Sequence, residues 1–187
     1  MNKTALLIID MQNDFARKGS IVEVKGLDMI VPKLSRFIKA LRQRNVLVIY
    51  TRHIFDQKLN PQESRMFPLM NKEVLKDNSK GSQIITELIR HKNDIVLKKM
   101  RYDAFLGTPL ELILKSNNIQ NVIITGTMTN ICCESTARTA MMKNFNVYFC
   151  SDLTCTTDKM LHENTLRNIA SHFGNVVRSE EIMKLVS

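Results

Sequence analysis

The sequence lacks tryptophan, long apolar runs and any enrichment in glycine or proline. Its 187 residues include no Trp, six Gly and four Pro, which excludes a collagen-like chain or a disordered chain rich in Gly and Pro. No apolar run approaches the roughly 18 residues that a membrane span needs. The apolar stretch that begins at Ala5 is also too short for a signal peptide. We therefore expect one cytoplasmic domain over residues 1–187, with no membrane partner.

An excess of acidic charge is also absent. Twenty-seven Lys and Arg stand against 18 Asp and Glu, for a formal net charge of +9. A basic chain can bind nucleic acid when its positive residues form a tail or a patch interleaved with aromatic residues. Here the basic residues are spread along the whole chain. We interpret them as a solvated surface and expect no nucleic-acid partner.

Cysteine is scarce and poorly spaced for binding a metal. The four cysteines, at positions 132, 133, 150 and 155, contain no C-x₂-C pair. Adjacent cysteines suit neither a tetrahedral metal pair nor an easy mutual disulfide. In a cytoplasmic chain all four are expected to be free thiols.

Short apolar runs alternate with amphipathic stretches along the chain. The runs are rich in β-branched residues and nearly unbroken by polar ones, which is typical of strands buried on both faces. They are residues 5–9, 46–50, 95–97, 122–125, 147–150 and 176–177. A period of 3.6 residues predicts helices at 30–41, 84–89, 110–114, 131–142 and 160–173. The alternation predicts an α/β fold: a three-layer, Rossmann-like domain with a six-stranded, mostly parallel sheet of order 3-2-1-4-5-6.

Polar and reactive residues follow several of the predicted strands. They are Asp10, Arg52, His53, Lys98, Lys99, residues 126–130 and Asp152. In open parallel sheets the carboxyl ends of the strands form the ligand-binding edge, so these residues mark a candidate site. The stretch 52–80, which contains two of the four prolines, is predicted to be irregular and is a candidate cover for that edge.

Cys132 falls in the first turn of the helix predicted after the fourth strand, with Thr129 or Asn130 as its cap. The N-terminal end of a helix stabilises a thiolate, so we expect the pKa of this thiol to be lowered. The free N–H groups of the same turn can hold an oxyanion. This thiol, Asp10 and a lysine would together supply a nucleophile, a base and a cation.

Three segments resemble the isochorismatase-like cysteine hydrolases, a family that includes nicotinamidases and N-carbamoyl or ureido amidohydrolases. They are LLIIDMQNDF at 6–15, KMRYDAFLGTPLELIL at 99–114 and ITGTMTNICCESTARTA at 124–140. The catalytic Asp, Lys and Cys of that family map to Asp10, to Lys99 rather than Lys98, and to Cys132 rather than Cys133. The resemblance implies a hydrolase that cleaves a C–N amide-type bond of a small metabolite through a thioester intermediate.

The same resemblance implies the surroundings of the thiol. It implies a cis peptide bond between Thr127 and Met128, with the N–H groups of Met128 and Cys132 forming an oxyanion hole. Phe15, Tyr102 and Phe105 lie in the matched segments and are expected to line the pocket, and Asn130 is expected to contact substrate. Arg52 and His53 are expected to bind a carboxylate or ureido oxygen because of their position after the second predicted strand. Family members are usually oligomers, so we expect a homodimer or homotetramer that acts on a small amide or ureido compound.

The sequence departs from the nicotinamidase pattern at one point. Nicotinamidases place a metal site after the second strand, with a D-x-H motif and a later His. Here Arg52 and His53 are followed by Asp56, and the next His is His91. We therefore expect no metal and no other cofactor, and the departure counts against nicotinamide as substrate.

The sequence leaves three alternative functions open. One is the hydrolysis of an enol ether, as isochorismatases perform, although those enzymes typically lack the nucleophilic cysteine. Another is a non-catalytic partner protein on the same scaffold, which a sealed, unreactive Cys132 would favour. A nucleotide-binding Rossmann domain is disfavoured because no G-x-G-x-x-G follows Gly126.

Overall fold

A computed structural model describes residues 3–71 and 73–186 of the chain. Within these ranges six strands form one sheet in the order β3-β2-β1-β4-β5-β6, and every neighbouring pair is parallel. The strands are β1 (Thr4–Ile9), β2 (Leu47–His53), β3 (Ile95–Lys99), β4 (Asn121–Thr127), β5 (Asn146–Cys155) and β6 (Asn175–Val177). The predicted fold class and strand order are confirmed.

Helices cover both faces of this sheet and complete three layers. They are α1 (Asn13–Ala16), α2 (Leu27–Arg42), α3 (Pro61–Met66), α4 (Leu110–Ser116), α5 (Glu134–Met142), α6 (Lys159–His172) and α7 (Ser179–Leu185). The central strand β1 shows the layering, because Leu6 and Ile8 pack with α2 and α7 while Leu7 and Ile9 pack with α4, α5 and α6. Each of these four side chains is fully buried, which stabilises the fold by about 1.5–3 kcal/mol per residue. Of the described helices, none has the length and apolar character to cross a bilayer.

The ends of β1 and β4 lie unusually close together. Gly126 pairs with Ile9 across the sheet, and a Cβ atom at Gly126 would lie 2.1 Å from the Ile9 carbonyl oxygen. Its φ of +109° is also a conformation that favours glycine. Glycine therefore allows the segments that follow β1 and β4 to begin side by side.

Two predicted segments differ from the structure. Residues 84–89 do not form a helix, because their backbone pairs with the segment after β1: Ile84 bridges Gln12, and Ile85 N–H donates to the Met11 carbonyl at 3.0 Å. The stretch 52–80 is not wholly irregular either. Arg52 and His53 belong to β2, and the stretch contains α3 and a 3₁₀ turn at Pro68–Asn71.

Candidate active site

The carboxyl ends of β1, β3 and β4 bring three residues singled out from the sequence into one buried cluster. Asp10 follows β1, Lys99 ends β3 and Cys132 follows β4. Nζ of Lys99 lies 2.7 Å from Oδ2 of Asp10, and the Cys132 thiol is within hydrogen-bonding reach of both side chains. Strand β2 separates β1 from β3, so the lysine side chain bridges two strand spacings, roughly 10 Å.

The intervening strand β2 holds the Asp10 carboxylate from one side. The Thr51 hydroxyl donates to Oδ1 of Asp10 at 2.6 Å and accepts the Asp10 N–H at 3.0 Å. Asp10 has a φ of 50°, a left-handed conformation that is strained for a non-glycine residue and concentrates at functional sites. Within the described part of the chain, Oδ2 accepts no hydrogen bond of good angular geometry. Its 2.7 Å contact with Nζ of Lys99 is therefore an ion pair without the alignment of a hydrogen bond.

Lys99 is a buried ammonium with several acceptors around it. Besides Asp10, its Nζ donates to the Arg101 carbonyl at 2.9 Å and lies 3.4 Å from Nδ1 of His53. Burial lowers the pKa of Lys99, but the Asp10 carboxylate, together with the contact to Cys132, raises it more, so the net shift is upward. The residue therefore stays charged at neutral pH.

The turn around Cys132 differs from the predicted first turn of an α-helix. Residues Thr129–Cys133 form a π-helical turn, and α5 begins only at Glu134. Neither predicted cap acts as one, since the Thr129 hydroxyl lies 2.9 Å from Nδ1 of His162 and Asn130 accepts a hydrogen bond from the Thr156 hydroxyl at 2.6 Å. The N–H groups of Ile131 and Cys133 both donate to the Met128 carbonyl at 3.1 Å. The peptide bond between Thr127 and Met128 is cis.

The expected lowering of the Cys132 pKa is wrong for the free site. Burial raises the pKa of this thiol well above its ordinary value; Lys99 lowers it in part, while Asp10 raises it further. The effect of a helix end can be inferred from residue spacing, but the cost of burying a thiolate cannot. Cys132 is thus a protonated thiol at rest, beside a carboxylate that can take its proton. The neighbouring Cys133 is fully buried, and burial also raises its pKa.

A cavity of about 260 Å³ opens above Cys132. Four of the predicted residues line it, namely Phe15, His53, Tyr102 and Met128, besides Cys132 itself. The remaining wall comes from the loop before α2, the cover stretch, the π-helical turn and the segment between β5 and α6: Ile21, Val22, Glu23, Val24, Glu63, Phe67, Leu69, Ile131 and Thr157. Cys132 lines the cavity and the residue is 6% exposed, so it is not sealed from small molecules.

Three predicted substrate contacts do not line this cavity. Arg52 precedes His53 on β2 and therefore faces the opposite side of the sheet, where its guanidinium donates to the Ser82 carbonyl at 2.7 Å and hydroxyl at 2.8 Å. Phe105 packs against Phe145, with ring centroids 6.0 Å apart. Asn130 is held by Thr156, as described above.

Sequence reasoning missed Thr51 and Glu63. Thr51 shares a strand face with His53, and the two-residue alternation of β2 was the available signal. Glu63 lies in α3, within the stretch predicted only as a cover, and no motif marks it. Its carboxylate lies 2.8 Å from Nε2 of His53.

The donor set of this cluster does not fit a metal ion. Among residues 3–71 and 73–186, no group of three or more His, Cys, Asp and Glu side chains is arranged to hold one. The histidine of the cavity, His53, has Lys99 against one ring nitrogen and Glu63 against the other. An ammonium only donates hydrogen bonds, so Lys99 uses Nδ1 of His53 as its acceptor. It therefore occupies the position that a metal ion bound to this nitrogen would need.

Comparisons with known proteins agree on one family. Residues 4–181 match the family described as "Isochorismatase domain". Nicotinamidase 3 of Arabidopsis thaliana is 34% identical over 182 residues, which cover 96% of this chain and 87% of that protein. The ureidoacrylate amidohydrolase RutB of Methylorubrum extorquens is 29% identical over 192 residues, which cover 91% of this chain and 77% of that protein. The crystal structure of a cysteine hydrolase from Pseudomonas syringae pv. phaseolicola superposes with a TM-score of 0.94 at 26% identity, covering 98% of this chain and 92% of that one.

Proposed function

Because the chain belongs to the isochorismatase family, we propose that it is a cysteine hydrolase that cleaves a C–N bond in a small amide, ureido or carbamoyl compound. One observation carries the proposal: a thiol, a carboxylate and an ammonium from Cys132, Asp10 and Lys99 form one buried cluster, and Cys132 lines the cavity beside it. A buried thiol with a raised pKa needs a neighbouring base, and the carboxylate of Asp10, which is within reach of the thiol, is that base.

The first half of the reaction forms a thioester. Asp10 accepts the Cys132 proton, and the sulfur attacks the carbonyl carbon, so that a C–S bond forms and the carbonyl electron pair moves to oxygen. The N–H groups of Met128 and Cys132 are proposed to stabilise this oxyanion. The C–N bond then breaks, and the departing amine or ammonia takes the proton from Asp10. Lys99 offsets the negative charge of the cluster throughout.

The second half releases the product. Asp10 removes a proton from water, the resulting hydroxide attacks the thioester carbonyl, and the C–S bond breaks. The sulfur recovers the proton held by Asp10, which restores the thiol and the carboxylate. The atoms balance as amide plus water giving acid plus amine.

An ammonia-release screen tests this proposal. Small amides, ureides and carbamoyl compounds are incubated with the wild type, with Cys132→Ser and with Cys133→Ser. We expect Cys132→Ser to lose about 10³-fold or more of kcat/KM on every substrate of the wild type. Cys133→Ser removes a thiol one residue away and should keep activity within about tenfold, since Cys133 is fully buried beside the Thr125 carbonyl rather than in the cavity wall.

Two results would contradict the proposal. One is full turnover by Cys132→Ser, which would remove the nucleophile from the scheme. The other is turnover of isochorismate, with no ammonia released from any amide, which would support the enol-ether alternative instead.

A further inference from the structure

The cavity above Cys132 is apolar except for a few groups, and its fixed charge is negative. Most of its wall is aliphatic or aromatic, including Phe15, Val24 and Phe67. The two charged side chains of the described wall are both carboxylates, Glu23 and Glu63. The chain as a whole carries +9, so the sign of the cavity opposes the sign of the molecule.

Glu63 is held firmly at the cavity wall. Its Oε1 lies 2.8 Å from Nε2 of His53, and its Oε2 accepts a hydrogen bond from Nδ2 of Asn60 at 3.0 Å. Asn60 in turn donates to the Met100 carbonyl at the end of β3. The Glu63 side chain is only 10% exposed. The carboxylate therefore keeps its position and is weakly screened by water.

The nearby cation does not neutralise Glu63. The Lys99 ammonium is paired with Asp10 at 2.7 Å, and His53 separates it from Glu63. Because an ammonium only donates, Nδ1 of His53 accepts, and the hydrogen on Nε2 is donated to Glu63. Each oxygen of the Glu63 carboxylate retains capacity for a further donor. Glu23 lies nearer the surface, where it accepts the Gly19 N–H at 2.7 Å.

We infer that Glu63 selects the substrate by charge: the site takes an uncharged or cationic amide with an apolar body and rejects amides that carry a carboxylate. That the selected compound is a substrate rests on the proposed function, whereas the selection by charge does not. The cavity volume of about 260 Å³ is below that of sites for drug-sized ligands, so the compound is small.

The turnover test compares three amides that share one ring: benzamide, 3-(aminomethyl)benzamide and 3-carbamoylbenzoate. For the wild type we expect kcat/KM for the anionic amide to be about 30-fold or more below that for benzamide, and the cationic amide to equal or exceed benzamide. In Glu63→Gln the penalty on the anion should shrink by about tenfold. Glu87→Gln removes the same charge from an exposed position outside the cavity and should leave the ratio unchanged.

A second measurement does not depend on turnover. Alkylation of Cys132 by neutral iodoacetamide and by anionic iodoacetate is followed by mass spectrometry, with glutathione as the reference thiol. We expect the preference for iodoacetamide to exceed that of glutathione by about tenfold or more in the wild type. It should fall in Glu63→Gln and persist in Glu87→Gln.

The outcomes separate the two claims. Equal or faster reaction of iodoacetate, or efficient turnover of 3-carbamoylbenzoate, overturns the charge selection whether or not the variant folds. Selective alkylation without hydrolysis of any amide leaves the charge selection standing and removes the proposed hydrolase function. Hydrolysis of benzamide with no discrimination against the anionic amide would support the hydrolase function and overturn the charge selection.

Discussion

Asp10 and Lys99 form an ion pair whose side chains have no access to water. Burying two charges is costly, and the pair is tolerated because each member satisfies the other and has further polar partners in Thr51 and the Arg101 carbonyl. Removing one member leaves the other charge buried and unpaired. The pair is therefore a structural as well as a catalytic requirement of the proposed mechanism.

Lys99→Ser tests this pair, and Lys98→Ser is its matched control. We expect Lys99→Ser to lower kcat/KM by about 10³-fold or more and the free energy of unfolding by about 3–5 kcal/mol. Lys98 is exposed and pairs with Asp77 on the surface, so its loss should cost less than about 1 kcal/mol. Amide turnover and urea unfolding measure both quantities. Equal effects of the two substitutions would contradict the assignment of Lys99.

The thiol of Cys132 provides a prediction for pH. Since burial raises its pKa, the thiolate fraction at neutral pH is below that of a free cysteine and grows as pH rises. In the absence of substrate, we expect the rate of iodoacetamide alkylation at Cys132 to keep increasing up to at least pH 9. Stopped-time mass spectrometry from pH 6 to pH 10 measures it. A plateau below pH 8 would mean that the resting thiol is already ionised.

At the scale of elements, periodicity and burial predicted the strands well and the turns poorly. All six apolar runs lie within or overlap strands, because a strand buried on both faces leaves an uninterrupted run of apolar residues. The helix predicted at 84–89 failed because the buried residues Ile84 and Ile85 pair with the segment after β1 instead of forming a helical stripe. The π-helical turn at Cys132 has no signature in residue spacing, so its local geometry was beyond sequence reasoning.

Asp152 joins three elements, and its charge predicts a stability change with pH. On β5, it accepts hydrogen bonds from Lys33 of α2 and from Ser179 at the start of α7. Burial raises the pKa of Asp152, but these partners lower it more, to about 2. A carboxyl with a folded pKa below its unfolded value stabilises the fold above about pH 4, and this stabilisation is lost as pH falls through 2.

Asp152→Asn should therefore reduce the free energy of unfolding by about 2 kcal/mol at pH 7. The deficit should shrink between pH 4 and pH 2, because the wild-type carboxyl becomes protonated there. Chemical denaturation across this range measures it, with Glu163→Gln as a control for an exposed carboxylate whose nearest cation, Lys159, is 3.6 Å away. A deficit that stays constant down to pH 2.5 would assign the effect to lost packing rather than to charge.

At the scale of the whole molecule, strand order explains why three distant residues meet, and the sequence was sufficient for that much. It placed Asp10 and Lys99 at one edge of the sheet but could not supply the distance between them, which depends on the reach of one side chain across β2. The sequence also could not show that His53 faces the site and Arg52 the opposite side of the sheet. Which of two adjacent strand residues faces the site depends on the register of β2. The cavity wall, which depends on how two loops pack, was the least predictable part.

The oligomeric state is a prediction for the whole molecule. Several apolar side chains of the cover stretch are exposed, namely Leu59, Met66, Phe67 and Leu69, and the last two line the cavity. Contiguous exposed apolar surface commonly marks an interface, which agrees with the homodimer or homotetramer expected from the family resemblance. Light scattering should give a mass at least twice the 21.5 kDa of the chain. Met66→Glu should shift it towards the monomer while Leu112→Glu, an exposed apolar position on α4, should not; a monomeric wild type would refute the prediction.

In the folded sheet β2 lies between β1 and β3, so we expect the pair of Asp10 and Lys99 to form in refolding only once β2 has docked between them. Contacts between residues far apart in sequence form slowly, because long loops must close before the contact is gained. Hydrophobic collapse or early helix formation alone therefore restores no active site. The rate at which the proposed activity returns in a refolding experiment would therefore report the rate at which the sheet is completed. A partly folded chain would have no activity even when most of its secondary structure is present.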